Sequence, residues 1–495
     1  MPQNKLNLNG LYKQLRKASN YEEWRELAQA LDKLQGLDTW RQVEQTRLYD
    51  YRSTRNRLLL LREKRTINDD RGLLFALNEG VHGNMGGMGA PVLYQRALFG
   101  TKQLIEDYIN EIADSLNYLA SNQTSDITSE QKQEFFQRAH QCFGKTALML
   151  SGSGTLLYFH LGVVKALWEQ NLLPKILCGA SGGGLISALV GTHSQEELAK
   201  IFDPDYIRFE VEHGSSILGK LALLGPPTIS PDAVRKLYSR LIPELSFAEA
   251  KSLTGYDINI SVAPAEKHQT SRLLNALASP NVLITDSVLA SCAFPGFFPP
   301  VSLRAKDEQG NIQPYLKDRV WIDGSISDDM PIKRITRLFG VNHFIVSQTN
   351  PAALPFLNQK TDSGPSGIIR QALKNTSREW LLAGNKLLNH PINKRSTINR
   401  VSTMLGQAMS QTYTGHINIL PPNRFHNPLK LLSGRNTEEI MSLIKAGEQA
   451  TWPYIEQIRI QTKISRVLSD IMKKRDFTTA PSSPSLEERI NIHAN

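Results

Sequence analysis

Apolar residues recur at helical spacing through the first quarter of the chain. From about residue 11 to 120 they return every three or four positions, and the clearest run is Leu104, Ile105, Tyr108, Ile109, Ile112, Leu116 and Leu119. This period predicts amphipathic helices that each bury one face. A polar stretch from 121 to 132 follows, which is typical of a linker or of a capped helix start. We therefore predict a helical N-terminal domain over residues 1–140.

Beyond residue 140 the pattern changes to short apolar runs separated by glycine turns and helical segments. The runs cover residues 147–150, 176–178, 258–262, 320–322 and 344–346. Short strands that alternate with helices indicate an α/β domain with a mostly parallel sheet and helices on both faces. We place this domain at 141–350 and expect its functional residues at the carboxyl ends of the strands.

A third region, residues 351–472, is predicted to be helical and basic and to complete the fold. Its last helix begins at Thr437 and is expected to break or kink near Pro453, because proline cannot donate the backbone hydrogen bond of a helix interior. The remaining residues, 473–495, are rich in Ser and Pro and are predicted to be disordered.

Positive charge is concentrated in two amphipathic segments. Residues 51–65 carry six Lys and Arg side chains against the single acid Glu63, and residues 367–411 show the same bias. Each segment is either a solvated helix face over buried leucines or a helix that contacts lipid, and the pattern alone leaves both interpretations open.

The net charge narrows the class of partner. The 495 residues include 57 Lys and Arg against 47 Asp and Glu, a formal net charge of +10, which favours either nucleic acid or an acidic lipid surface. The basic segments lack interleaved aromatic residues and any recognition motif, so we expect no nucleic-acid partner.

Cysteine usage and hydropathy indicate the compartment. Cys142, Cys178 and Cys292 are too few for a disulfide framework and lack zinc-ligand spacing, which predicts a reducing environment, no metal site and no cofactor. No apolar stretch is long enough for a secretory signal or a membrane span, so we expect a cytoplasmic protein.

The sharpest chemical motif is Gly179-Ala-Ser181-Gly-Gly183, which an apolar run enters and a helical segment leaves. This strand-turn-helix context is typical of a nucleophile elbow, in which the serine hydroxyl is exposed at a helix N-terminus. The glycines at 179 and 183 are expected because the turn brings backbone against backbone. The alternative is a glycine-rich turn that only packs closely or holds a phosphate.

A second glycine-rich turn, Ser151-Gly152-Ser153-Gly154, follows the preceding apolar run. Small residues at a strand end expose backbone N–H groups, so Gly152, Ser153 and Gly154 are candidate donors of an oxyanion hole. A dinucleotide-binding loop is excluded because the third glycine position of its fingerprint is occupied by Leu157.

A nucleophilic serine needs a proton acceptor. Asp323 ends an apolar run and precedes Gly324, which alone predicts only a turn but places a carboxylate where it could reach Ser181. Four histidines follow both residues in the chain order of a Ser, acid, His triad, and none has a distinctive turn signature: His343, His390, His416 and His426.

Taken together, these motifs resemble the patatin-like phospholipase family. The likeness spans about residues 146–351 and rests on four ordered motifs: Ser151-Gly-Ser-Gly154, Gly179-Ala-Ser181-Gly-Gly183, Ala290-Ser-Cys-Ala-Phe-Pro295 with Phe298-Pro-Pro-Val301, and Asp323-Gly324-Ser325. The resemblance implies a serine acyl hydrolase in which Ser181 is the nucleophile and Asp323 the proton acceptor, without histidine. It also implies a lipid substrate, an acyl-enzyme and peripheral association with a membrane or lipid-droplet surface. The chain departs from the family pattern at Ser153, Leu156 and Ser325.

The N-terminal region is similar to the uncharacterised helical domain that precedes the catalytic domain in patatin-like triacylglycerol lipases. The likeness is carried by Tyr21-Glu-Glu-Trp24, Asp38-Thr-Trp40, Leu48-Tyr-Asp-Tyr51 and Gly100-Thr-Lys102. The alternative to a lipase or phospholipase is a catalytically inactive lipid-binding or scaffold protein of the same fold. Neither the preferred lipid class nor the oligomeric state is indicated by the sequence.

Overall fold

A computed structural model describes residues 2–81, 85–121, 126–213, 231–266, 270–295, 298–350, 353–354, 415–422 and 435–474. The chain divides into two compact units. The first comprises Met1–Lys145 and Glu456–Asn495, and the second comprises Thr146–Ile455.

The N-terminal part of the first unit is helical, as the apolar period predicts. Its helices are α1 (Pro2–Leu15), α2 (Tyr21–Leu34), α3 (Leu37–Gln42), α4 (Tyr51–Thr66), α5 (Asp70–Asn78), α6 (Gln103–Ala120) and α7 (Ser129–Phe143). The polar stretch before α7 includes a capped helix start, because Thr128 and Gln131 form a reciprocal capping box. The predicted face of α6 is buried at Leu104, Tyr108 and Ile112.

The motif residues Trp40 and Lys102 stabilise the end of α3. Lys102 is 1% exposed, and its Nζ donates to the carbonyl oxygens of Trp40 and Val43 at 2.5 and 2.7 Å. The ammonium also lies 4.3 Å from the centroid of the Trp40 ring. Burial lowers the pKa of Lys102. These contacts give the N-terminal motif a structural role, since the lysine binds orphan carbonyls at the helix C-terminus.

The second unit alternates strands and helices. Its elements are β1 (Lys145–Leu150), α8 (Leu157–Glu169), β2 (Ile176–Gly179), α9 (Gly182–Gly191), α10 (Gln195–Ile201), α11 (Pro204–His213), α12 (Pro231–Tyr238), α13 (Phe247–Thr254), β3 (Asp257–Pro264), β4 (Arg272–Leu274), α14 (Ile284–Ser291), β5 (Leu303–Lys306), β6 (Ile312–Tyr315), β7 (Trp321–Asp323), α15 (Ser325–Asp328), α16 (Ile332–Phe339), β8 (Val341–Ser347), β9 (Ile417–Ile419) and α17 (Thr437–Thr451).

The strands form a sheet in the order β4-β3-β2-β1-β8-β9, and β7 also pairs with β3. The pairs β1–β2, β2–β3 and β8–β9 are parallel, whereas β4 and β7 run antiparallel to β3. The mostly parallel α/β sheet predicted from the sequence is therefore confirmed. The apolar pattern did not reveal the strands β4, β5 and β6. Each of them has only three or four residues.

The region 351–472 differs from the prediction in one respect. It contributes the strand β9 to the sheet, although it was expected to be helical. Its helix α17 packs on α8 so closely that a Cβ on Gly162 would collide with the carbonyl of Ile444, and one on Gly447 with the carbonyl of Phe159. The predicted basic segment 367–411 lies outside the described residues, as does the predicted disordered tail beyond Lys474.

The last helix, α18 (Ile455–Lys474), belongs with the N-terminal helices rather than with the sheet. A 3-10 turn at Trp452–Tyr454 contains Pro453 and separates it from α17, which confirms the predicted break. Its buried residues Ile464, Leu468 and Ile471 join a core cluster with residues of α4, α6 and α7. The first unit is thus closed by a segment more than 300 residues later in the sequence than α7.

Candidate active site

Ser181 occupies the turn between β2 and α9 in a backbone conformation that non-glycine residues rarely adopt. Its φ and ψ are 52° and −125°. The Ser181 N–H donates to Ser291 Oγ at 2.9 Å, and that hydroxyl donates to the Ser261 carbonyl at 2.7 Å. Because such a conformation costs free energy, the surrounding contacts must hold it. The turn has the strained geometry expected of a nucleophile elbow, and the serine directly precedes the N-terminus of α9.

The two glycines of the motif are required by close approach of the backbone. A Cβ on Gly179 would collide with the carbonyl group of Gly183, and a Cβ on Gly183 would collide with the Leu150 carbonyl at the end of β1. This close approach is the one that the tight turn predicted for both glycines. A side chain at either position would push the elbow away from the sheet edge.

Asp323 ends β7 and is brought towards Ser181 by their common neighbour β3. Val262 of β3 is in register with Asp323, and Ile260 of β3 is in register with Gly179 of β2. The Asp323 side chain is buried, and its Oδ1 accepts the Ser325 N–H at 2.8 Å. Burial raises the pKa of Asp323 to about 6, although hydrogen bonds from Ser325 and from the Ser181 hydroxyl lower it. A carboxylate of this pKa can accept a proton near neutral pH.

The glycine-rich turn after β1 lies against the start of α9. A Cβ on Gly182 would collide with Ser153 Oγ, and Gly154 has a φ of 51°. Of the three predicted oxyanion donors, Gly152 is already engaged, because its N–H donates to Asp329 Oδ1 at 2.7 Å. The N–H groups of Ser153 and Gly154 have no acceptor within the described part of the chain. The oxyanion role of this turn stays a prediction.

Asp329 and Asn350 are functional candidates that the sequence pattern did not predict. Both are buried, and Asn350 Nδ2 donates to Asp329 Oδ2 at 2.9 Å. Burial raises the pKa of Asp329 to about 7, while the hydrogen bonds from Asn350 and Gly152 lower it. The available signal was the pair Asp328-Asp329, five and six positions after Asp323 and directly before the Met-Pro pair that leads into α16.

Two of the candidate histidines lie at the opposite edge of the sheet. His343 Nδ1 is 3.2 Å from the hydroxyl of Thr146 at the start of β1, and His416, which directly precedes β9, accepts the Phe344 N–H in the middle of β8. Ser181 follows the carboxyl end of β2, which is parallel to β1. Neither histidine can therefore serve as its base. His390 and His426 lie outside the described residues.

His160 of α8 is buried at the carboxyl end of the sheet but is fully used in a hydrogen-bond network. Its Nδ1 lies 2.7 Å from Ser347 Oγ, and its Nε2 lies 3.0 Å from the Ser151 carbonyl and 2.9 Å from Thr349 Oγ1. Burial lowers the pKa of His160 to about 4. A neutral imidazole held at both ring nitrogens supports the turn after β1 and is not placed to act as a base.

A further group beside the elbow is the thiol of Cys292, which follows α14. Burial and the nearby Asp323 carboxylate raise its pKa to about 12, although hydrogen bonds with Tyr238 and Ser181 lower it. The thiol is thus protonated at neutral pH. Because the thiolate is the reactive form, Cys292 is not a competing nucleophile.

Most cations of the segment 51–65 are bound within the first unit. Arg62 and Arg65 pair with Glu111, Lys64 with Asp69 and Arg55 with Glu44, while Arg57 donates to the Tyr108 hydroxyl. Leu58 and Leu61 are buried beneath them. These contacts favour the interpretation of this segment as a structural helix face.

Within the part of the chain that the structure describes, no helix is long and apolar enough to cross a lipid bilayer. Among the same residues, no three His, Cys, Asp or Glu side chains are grouped so that they could hold a metal ion.

Each of the two units contains a region that matches a known protein family or domain. Residues 148–335 match the patatin-like phospholipase family, and residues 3–141 match a domain of unknown function, DUF3336. The chain is 31% identical to triacylglycerol lipase ptl2 of Schizosaccharomyces pombe, over 92% of this chain and 74% of that protein. It is equally similar to triacylglycerol lipase SDP1L of Arabidopsis thaliana, over 92% of this chain and 57% of that protein.

A patatin-like phospholipase domain-containing protein of Cryptococcus neoformans is also 31% identical, over 92% of this chain. The chain spans 54% of the length of that relative, so about half of the relative has no counterpart here. The similarity covers both the helical unit and the sheet that carries Ser181 and Asp323. The chain is therefore a member of the patatin-like phospholipase family.

Proposed function

We propose that this protein is a serine hydrolase that cleaves fatty-acyl esters of lipids through Ser181, Asp323 and an acyl-enzyme. The observation that carries the proposal is the pairing of a strained elbow serine with a buried acid. Burial raises the pKa of this acid, Asp323, to about 6, and a hydrogen bond with the serine hydroxyl is among the contacts that lower it. A buried carboxylate with this pKa is ionised at neutral pH and still basic enough to take a proton.

The first half of the proposed reaction forms the acyl-enzyme. Asp323 accepts the proton of the Ser181 hydroxyl while Oγ attacks the carbonyl carbon of the ester. Negative charge that develops on the carbonyl oxygen is stabilised by the N–H groups of Ser153 and Gly154 and by the N-terminus of α9. As the tetrahedral intermediate collapses, Asp323 returns the proton to the oxygen of the leaving alcohol.

The second half releases the fatty acid. Water takes the place of the alcohol and loses a proton to Asp323 as its oxygen attacks the acyl carbon. The same donors stabilise the second tetrahedral intermediate, and Asp323 returns the proton to Ser181 Oγ as the acyl bond breaks. The cycle needs no group beyond those of the chain and a water molecule.

The substrate class comes from the relatives. Two of them are named triacylglycerol lipases, and the matching family is described as patatin-like phospholipases. We therefore propose glycerolipid acyl esters, either triacylglycerol or phospholipid, as substrates. Such esters are presented at a membrane or lipid-droplet surface, and we propose peripheral association with that surface.

The proposal is tested by fatty-acid release from triacylglycerol emulsions and from phosphatidylcholine vesicles in parallel. Wild type should release fatty acid from at least one of them, and Ser181→Ala should release none above background. A fluorophosphonate probe should label wild type and not the Ser181→Ala variant. If the wild type hydrolysed neither lipid and was not labelled by the probe, the protein would instead be a catalytically inactive lipid-binding or scaffold protein.

A further inference from the structure

A buried polar cluster lies beside the Ser181–Asp323 pair and is not used by the proposed reaction. Its centre is Asp329, which is 1% exposed and follows α15. One carboxylate oxygen accepts the Gly152 N–H at 2.7 Å, and the other accepts Asn350 Nδ2 at 2.9 Å. The carboxyl group thus links the turn after β1 to the segment after β8.

The same turn is held a second time from the segment after β8. Ser151 Oγ accepts the N–H of Thr349 at 2.8 Å and that of Asn350 at 3.2 Å. The backbone on both sides of the Ser151–Gly152 peptide is therefore restrained by groups from distant parts of the chain. A buried N–H that loses its acceptor costs free energy, so this peptide cannot rotate freely.

The orientation of the Gly152 peptide affects the two residues that follow it. Because the Gly152 N–H points to Asp329, the N–H groups of Ser153 and Gly154 are the ones left to face a substrate oxygen. Gly154 has a φ of 51°, and Ser153 Oγ lies against Gly182 at the start of α9. The turn has little space in which to adopt another conformation.

We propose that Asp329 is a positioning residue of the oxyanion hole, because it accepts the Gly152 N–H and so aims the Ser153 and Gly154 N–H groups at the substrate carbonyl oxygen. Asn350 donates to the Asp329 carboxyl and orients it, so Asn350 acts on the oxyanion hole indirectly, through Asp329. The inference rests on the proposed hydrolase function, since an oxyanion hole has no role in a protein that does not transfer acyl groups.

The ionisation state of Asp329 adds a readout that depends on pH. Burial raises its pKa to about 7, and the groups that interact with it include the carboxylates of Asp323 and Asp328 and the thiol of Cys178. Both ionisation states of the carboxyl accept the Gly152 N–H. The ionised state also places a negative charge near the oxyanion, which opposes charge development there.

Replacement of the acceptor is the direct test, with a water-soluble p-nitrophenyl ester as the probe substrate. Asp329→Ala should lower kcat about 10- to 100-fold and leave KM within about twofold, because misplaced donors weaken only the transition state. Asp329→Asn keeps an acceptor for Gly152 if the Asn350 amide turns over, and should restore kcat to within about threefold of wild type.

Asn275→Ala is the matched control. Asn275 is buried after β4, and its Oδ1 accepts the backbone N–H groups of Leu277 and Ala278, so the substitution removes buried hydrogen bonds of the same kind away from the turn after β1. It should lower stability to a degree similar to Asp329→Ala while kcat stays within about threefold of wild type. Equal losses of kcat in the two variants would mean that Asp329 has only a general structural role and would overturn the inference.

The pH profile is the second, independent test. Wild-type kcat should rise through the pKa of Asp323 and fall through the higher pKa of Asp329, and the fall should be absent in Asp329→Asn. Asn350→Ala removes a hydrogen bond that lowers the Asp329 pKa, so the fall should move to higher pH. An unchanged profile in both variants contradicts the inference. A wild-type protein that the fluorophosphonate does not label would instead overturn the hydrolase proposal itself.

Discussion

Buried acids occur in both units of the chain, but they face different partners. In the first unit, Glu111 is 4% exposed and accepts from Arg65 Nε at 2.8 Å and Arg62 Nε at 3.3 Å. In the second unit, Asp323 is equally buried, and its hydrogen bonds come from the Ser325 N–H and from serine hydroxyls. Within the described residues, no Lys or Arg forms an ion pair with Asp323.

The difference explains which acid can do chemistry. The Glu111 carboxylate is bound by Arg62 and Arg65 of α4 and so links α6 to α4. A carboxylate bound only by neutral donors keeps a raised pKa and can exchange a proton with a neighbouring hydroxyl. Burial alone therefore does not distinguish the structural acids from the candidate catalytic one.

The largest expected effect is loss of activity when the nucleophile is removed. Ser181→Ala should lower fatty-acid release by about 10⁴-fold or more, because no other described group beside the elbow is activated for attack. Its thermal unfolding midpoint should not fall, since the side chain contributes little to the core. Glu111→Ala serves as the control from the other unit and should retain wild-type release per folded molecule.

Removal of the proton acceptor should have the next largest effect. Asp323→Asn keeps the size of the side chain but cannot accept the proton of Ser181, so kcat should fall about 10³- to 10⁴-fold. The rate of labelling by a fluorophosphonate should fall in parallel. Labelling at the wild-type rate would show that Asp323 is not the base. The contrast between Asp323 and Glu111 would then say nothing about catalysis.

The same substitution should stabilise the folded protein. The pKa of Asp323 in the folded protein, about 6, lies above its usual value of 3.8. The free energy of unfolding therefore falls as the pH rises from about 4 through 6, because the carboxyl ionises more readily in the unfolded chain than in its buried site. Asp323→Asn should therefore raise the free energy of unfolding by up to about 3 kcal/mol at pH 8 and by about half as much at pH 5. Urea titrations at the two pH values provide the measurement, and an equal change at both would contradict the assigned pKa.

Glu111→Ala should act in the opposite direction. It leaves Arg62 and Arg65 without their partner, and because the two arginine side chains are 49% and 37% exposed, the loss of stability should be about 1 to 2 kcal/mol rather than the value for a fully buried pair. Urea unfolding at pH 7 measures it. A loss of esterase activity per folded molecule would break the proposed separation between structural and catalytic acids.

The smallest effect is expected for the basic face of α4. Arg55 already pairs with Glu44, so Arg55→Gln should change binding to anionic phospholipid vesicles by less than about twofold at physiological salt. Co-sedimentation with vesicles provides the measurement. A tenfold loss would show that this helix contacts lipid, contrary to the structural role that its ion pairs favour.

The elements that local pattern predicted are those with a strong period or a demanding turn. The buried face of α6 follows from spacing along one helix, and the glycines at 179 and 183 follow from the shape of one turn. The strand β9 was missed because three residues cannot show a period, and they became a strand only by pairing with β8. The place of α18 in the first unit likewise depends on contacts with helices at the other end of the chain.

The sequence by itself determined the family and the α/β sheet and predicted the pair Ser181 and Asp323, because short motifs encode tight turns and strand ends through local sterics. Only the tertiary structure decided what surrounds that pair. Asp329 and Gly152 are 177 positions apart, and nothing in either local pattern requires them to meet. Their contact and the raised pKa of both acids arise from burial and from distant donors, which exist only after the chain has folded.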